Sequence, residues 1–265
     1  MLKKSSVLFI ILIIFSCEDN IILENKEFLT LTFSIANKEI VPENSGIIIT
    51  FSDSLNILSL EADSIYESLM VYDEIVELEV KKIELSKMFL FNDEEQTIWY
   101  DERNKTVAII KETEVCYQDG IDSIFQLKNS NRLHIESGIM DIYDRYLFKD
   151  LNLNFFLDTT NVGTSPNVFP NPYFGSSTIE ASRGDKIIVF SHLPDTCAIV
   201  IYNSQGEFIN SLLHTSQFND SMERWDVKSY LGEYVNPGIY RYEIHNSTEI
   251  FLHGVLIIAS QDNSL

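Results

Sequence analysis

VFPNPY, residues 168–173, sets two prolines around one asparagine. Proline has no N–H to give a ladder and pushes the residue before it toward extended backbone, so neither a helix nor a central strand continues through this stretch. It reads as the start of a second, independent β unit. Downstream, residues 186–190 (KIIVF), 197–202 (CAIVIY), 207–213, 239–244 (IYRYEI) and 251–258 are short apolar runs separated by polar or Gly/Pro turns. CAIVIY is apolar on both faces, as a central strand is. In IYRYEI, Tyr240, Tyr242 and Ile244 alternate with Arg241, Glu243 and His245, which puts the first three inward.

Working back from 168, residues 159–166 (TTNVGTSP) have the composition of a linker. Before them, residues 28–35 (FLTLTFSI) alternate with period two, and 46–51 (GIIITF) form a second strand. Residues 65–83 satisfy helical and strand periods in part; strands over 69–72 and 76–83 are favoured. A short apolar run follows at 89–91. Residues 97–100 and 106–111 flank Asp101-Glu102-Arg103-Asn104 as a hairpin. Runs at 123–127, 132–135 and 151–157 complete the set. Closely spaced strands with polar turns predict an all-β chain of two tandem β-sandwiches, over 25–158 and 167–259, with a tail at 260–265.

The chain has 265 residues, 40 acidic against 19 basic, for a formal net charge of −21. Such a surface repels nucleic-acid phosphates. With 45% hydrophobic residues and 17 Phe, the composition is that of a folded, core-forming protein. At the N-terminus, Lys3 and Lys4 precede an unbroken apolar run over 7–15, the layout of a secretory signal. Ile14-Phe15-Ser16-Cys17 resembles a bacterial lipobox, although Phe15 is bulkier than usual for its position. That resemblance implies cleavage after 1–16, lipid on Cys17, and a tether over 17–24 ahead of an outer-membrane or surface lipoprotein. A plain signal peptide and an uncleaved anchor are the alternatives. Glu18-Asp19-Asn20 resembles the export signal of surface lipoproteins and equally reads as a solvated tether. Cys116 and Cys197, the two cysteines left, sit in apolar contexts in different units and read as buried free thiols.

Two further resemblances bear on the units. GIIITFSDSL (46–55) and LHIESGIMDIYDRYLFKDLNLNFF (133–156) resemble the opening and closing patterns of the bacterial Ig-like domains of S-layer and other envelope proteins. Asp141 matches the turn Asp of that pattern, while Arg145 stands where a Gly is common. VFPNPY, IVFSHLPDTCAIVIYNSQGEFI (188–209), RWDV (224–227), GEYVNPGIYRYEI (232–244) and HGVLII (253–258) resemble the Ig-like module shared by type A sorting domains of type IX secretion substrates and the hook-capping-protein-type Ig-like domain. This implies an Ig-like fold for both units, and secretion machinery or a surface protein as a partner. The chain continues past the last strand without a terminal Lys or Arg, so a retained structural module and a cleaved transport tag both stand as readings.

No nucleophile elbow, phosphate loop, HExxH or dinucleotide fingerprint occurs, so the chain is expected not to be an enzyme, with no cofactor and no metal. His134, His192, His214, His245 and His253 show no triad spacing. The acidic groups Asp93-Glu94-Glu95, Asp119 with Asp122, and Asp141 with Asp144 lack a DxDxDG arrangement and read as solvated turns rather than calcium loops. The expected role is that of a non-catalytic envelope lipoprotein, structural or adaptor in kind. The alternative is a surface carbohydrate- or protein-binding module, which would need exposed, coplanar aromatic rings.

Overall fold

Runs that are apolar at every position need cover on both faces. GIIITF, TIWY and TVAII obtain it from two separate cores. The computed structural model describes residues 28–37, 39–41, 46–71, 74–110, 130–157, 166–175, 187–216, 221–246 and 250–260, and these residues are all-β, with a short 3-10 turn at Ile57–Leu60. The leader with Cys17, the linker up to residue 165, Cys116, the Asp119/Asp122 pair, the run at 123–127 and the tail beyond 260 lie outside the described residues.

The first group of strands is β1 (Leu31–Phe33), β2 (Ile40–Val41), β3 (Ile47–Phe51), β4 (Ser64–Val71), β5 (Glu74–Phe91), β6 (Glu94–Asp101), β7 (Thr106–Ile109), β8 (Asn131–Ile135) and β9 (Leu151–Leu157). They form one curled sheet in the order β1-β3-β7-β6-β5-β8-β9-β2, with β4 paired to β5. The ambiguous 65–83 stretch is an antiparallel pair of strands, and the hairpin around 102–105 is formed. The runs at 76–83 and 89–91, expected as separate strands, belong to the single 18-residue β5. Leu85 takes φ 51° and kinks it; before the kink β5 pairs with β4, beyond it with β8. Buried Ser86 beside the kink donates to the Leu60 carbonyl at 2.6 Å, so the irregularity leaves that hydroxyl satisfied. The curl lets Ile47, Ile49, Ile98 and Tyr100 meet Leu133, Ile135 and Phe155 in the first core.

The second group is β10 (Asn167–Phe169), β11 (Ile188–Ser191), β12 (Thr196–Asn203), β13 (Phe208–Thr215), β14 (Glu223–Trp225), β15 (Gly238–His245) and β16 (Ile250–Ile258). Sheets β10-β11-β14 and β13-β12-β15-β16 face each other as a sandwich, and β12 is central as expected. Between them lie Phe190, Ile199, Trp225, Tyr242, Ile244 and Leu256, with Phe190 edge-on to Tyr242 at 5.2 Å. The inward assignment of Tyr240, Tyr242 and Ile244 holds.

In VFPNPY, both X-Pro bonds are cis. Asn171 does the pairing the prolines cannot. Its Nδ2 donates to the Val255 carbonyl at 2.9 Å, and its Oδ1 accepts from the Ile257 N–H at 2.9 Å. Tyr173 continues along the same edge, its N–H to the Ile257 carbonyl at 2.8 Å and its carbonyl from the Ala259 N–H at 2.9 Å.

A third apolar cluster joins the two groups. Ile48, Leu78, Val80 and Trp99 on the outer face of the first sheet pack against Ile239, Val255, Ile257 and Ala259 on the outer face of the second. The Glu79 N–H donates to the Ala259 carbonyl at 3.0 Å, and the Arg103 guanidinium donates to the Pro237 carbonyl. Gly46 lies so close that a Cβ there would stand 2.7 Å from that of Val255. Residues of β3, β6 and β7 therefore alternate between two dry environments, which is why IIIT, TIWY and TVAI read as near-continuous apolar runs, while β15 and β16 lend only Ile239, Val255 and Ile257 to the seam.

Candidate functional site

Three places among the described residues gather chemistry-bearing side chains. The first is the end of the first sheet where the chain enters it. The turn after β3 brings Asp53, and the loop between β8 and β9 brings Asp141 and Arg145. Asp141 is fully buried; its Oδ1 accepts from the Tyr143 and Arg145 N–H groups at 2.8 and 2.9 Å, and its Oδ2 from Arg145 Nε at 2.7 Å. Arg145 also donates to Asp53, which accepts from Lys105 Nζ at 3.0 Å. Hydrogen bonding from Arg145, and next from Lys105, holds the Asp53 carboxyl below the usual carboxylate range. The two ends of the S-layer-like pattern thus meet, reinforced by the Asn56 N–H to Met140 carbonyl bond at 2.9 Å. The positive φ that a Gly would supply falls on Asp144 (φ 59°), which frees Arg145 to fork onto Asp141. Asp141 is committed to its own turn. Asp93 pairs with Arg132, while Glu94 and Glu95 are exposed.

The same loop carries an aromatic rim. Phe28 meets Tyr146 and Phe148 edge-on at 6.1 and 5.2 Å. Leu147 between them is buried, and Leu29 pairs with it as a parallel bridge. Ile142, Tyr143, Tyr146 and Phe148 are each 52–66% exposed, a high value for side chains of this kind.

The second place joins His134 of β8 with Glu136 and Asp150, whose ligand atoms lie within 4.8 Å of one another. His134 contacts Asn152 through Nδ1 at 2.9 Å and Glu136 through Nε2 at 3.2 Å. Hydrogen bonds from Ser137 hold the Asp150 carboxyl below its ordinary range. One imidazole and two carboxylates are donor types that a divalent cation accepts. Each is already engaged by a neighbour in the same hairpin. The sequence offered no spacing signal for this cluster, because it arises from the β8–β9 register that sets His134 opposite Asn152.

The third place is on the second group. Tyr202, Phe208 and Tyr230 form a chain of ring contacts at 6.5 and 5.6 Å, with Phe208 and Tyr230 well exposed. The rings are inclined by 77° and 41°, so they are not the coplanar platform that sugar binding would need. Inside, Cys197 is a buried free thiol whose pKa burial raises, as expected of an inert core cysteine. His214 is buried opposite it, 3.4 Å from Glu223. His253 lies within β16 opposite Glu243.

No protein-family model matches the chain. No curated protein matches it either. Among solved structures it is similar to the dimeric latent PorU of Porphyromonas gingivalis, at 14% identity over 86% of this chain and 19% of that one, with a TM-score of 0.30. It is similar to PorZ, a surface component of the type IX secretion system of the same organism, at 13% identity over 87% and 30%, TM-score 0.27. It is also similar to the S-layer protein rSbsC(31–844), at 11% identity over 86% and 25%, TM-score 0.26. The chain spans less than a third of each of these three. At such scores the likeness carries no argument about activity or partner.

Proposed function

We propose that this chain is a non-catalytic cell-envelope lipoprotein, anchored through acyl chains on Cys17, in which the two strand groups serve together as a structural or adaptor piece. The observation that carries the reading is the buried seam between the groups. A transport tag destined for removal needs a junction that can be parted. Here parting the groups would bare Trp99, Ile48, Leu78 and Val80 on one side and Ile239, Val255 and Ile257 on the other. Burial on that scale favours a permanent part. The lipobox-like residues 14–17 supply the anchor.

The test is the intact mass of the mature protein from its native host, with membrane and medium fractions measured separately. The expected species is membrane-bound, carries acyl groups on Cys17 and ends at Leu265. A species shortened near residues 159–166 would make the second group a tag and move the function to the acidic first group. The exposed ring chain Tyr202–Phe208–Tyr230 favours a second reading, in which this face receives a protein partner during secretion or at the surface.

A further inference from the structure

We infer that the aromatic rim at the tethered end of the first sheet lies in the interfacial layer of the bilayer. The inference rests on lipidation of Cys17 and adds an orientation to it: the molecule would stand with Ile142, Tyr143, Tyr146 and Phe148 toward the membrane. All four are more than half exposed, within seven residues of one another. They are not an accident of a loose loop. Asp141 and Arg145 fix the turn that presents them, and the Leu29–Leu147 bridge fixes its far side. Phe28, the first described residue, meets Tyr146 and Phe148 edge-on, so the described chain begins at the rim itself.

Ten residues, 18–27, separate Cys17 from Phe28. Whatever their conformation, ten residues reach about 35 Å at most. Anchoring therefore keeps the rim within a short distance of the headgroups. Tyr and Phe beside Lys149 and Arg145 are side chains that settle at that depth, rings toward the acyl boundary and polar tips in water. The charge balance identifies the surface further. Asp144 and Asp150 flank the rim, and the chain carries −21 overall, so the attraction is apolar and suits a zwitterionic surface rather than an anionic one.

The experiment is hydroxyl-radical footprinting read by mass spectrometry. The full acylated chain is reconstituted in phosphatidylethanolamine/phosphatidylcholine vesicles and compared with the same chain made from residue 18 onward, which carries neither leader nor acyl groups. Oxidation of Tyr143, Tyr146 and Phe148 is expected to fall several-fold on the vesicles, at low and high salt alike, while Tyr230 and Phe208 keep their soluble rates. The same digest reports the acyl groups on Cys17. If Cys17 is acylated and the rim oxidises as in solution, the orientation is wrong and the lipoprotein reading stands. If Cys17 carries no lipid, the lipoprotein reading falls and takes the orientation with it.

Discussion

Asn171 stands between two residues that have no N–H to offer, and its side-chain amide makes the two bonds that a strand backbone would have made to Val255 and Ile257. Both are buried. Asn171→Ala is expected to leave a buried carbonyl and a buried N–H without partners, costing about 2–4 kcal/mol. Equilibrium urea unfolding would show the loss, with the m-value unchanged. This residue shows what the sequence could and could not say. That VFPNPY breaks regular structure follows from proline alone. That its Asn is an edge-pairing group depends on where β16 lies, nearly ninety residues later.

At the scale of the element, β5 is the strand on which expectation and structure differ most. Its kink at Leu85 places a half-exposed leucine in the left-handed region, at φ 51°. Leu85→Gly is expected to stabilise the protein by about 1 kcal/mol, because the strain of an L-residue there exceeds the lost packing. Thermal and urea unfolding would both read it; a loss of stability instead would mean that the leucine's contacts matter more than its backbone. The longer strands were legible because the alternation and the turns are local signals, while the short β2, β10 and β14 and the first half of β4 were not. The merging of 76–83 with 89–91 was not, since a bulge changes partners without changing composition. The His134–Glu136–Asp150 cluster and the rim at 142–148 were hidden for the same reason. Both are made by the β8–β9 loop and register, and the rim's tyrosines have the composition of core residues.

For the whole molecule, the seam predicts coupling between distant positions. Gly46→Ala would set a methyl against Val255 and Ile110 and is expected to destabilise by about 1–3 kcal/mol. Combining it with Val255→Ala should recover part of that, giving a non-additive double-mutant cycle; strict additivity would mean that the two groups do not press on each other here. A pH signature crosses the same junction. Burial lowers the pKa of His253 below its ordinary 6.5, outweighing Glu39 at 3.8 Å. The folded state therefore favours the neutral ring. Its contribution is complete above 6.5 and is lost as pH falls through the depressed folded value, since the unfolded chain then binds the proton more readily. Stability measured between about pH 7 and 5 should fall, and His253→Asn should flatten that slope. The Asp53 and Asp150 carboxyls, held below 3.8, act only at lower pH.

β16 belongs to two of the three apolar clusters: Leu252, Leu256 and Ile258 fill the second sandwich, and Val255 and Ile257 fill the seam. It is also the last of the described strands in chain order. During synthesis neither of those clusters can close before residues 250–258 have been added. Until then the second sandwich and the seam stay open together. A chain lacking residues 250–258 would leave two cores open at once, rather than being a slightly smaller version of the same protein.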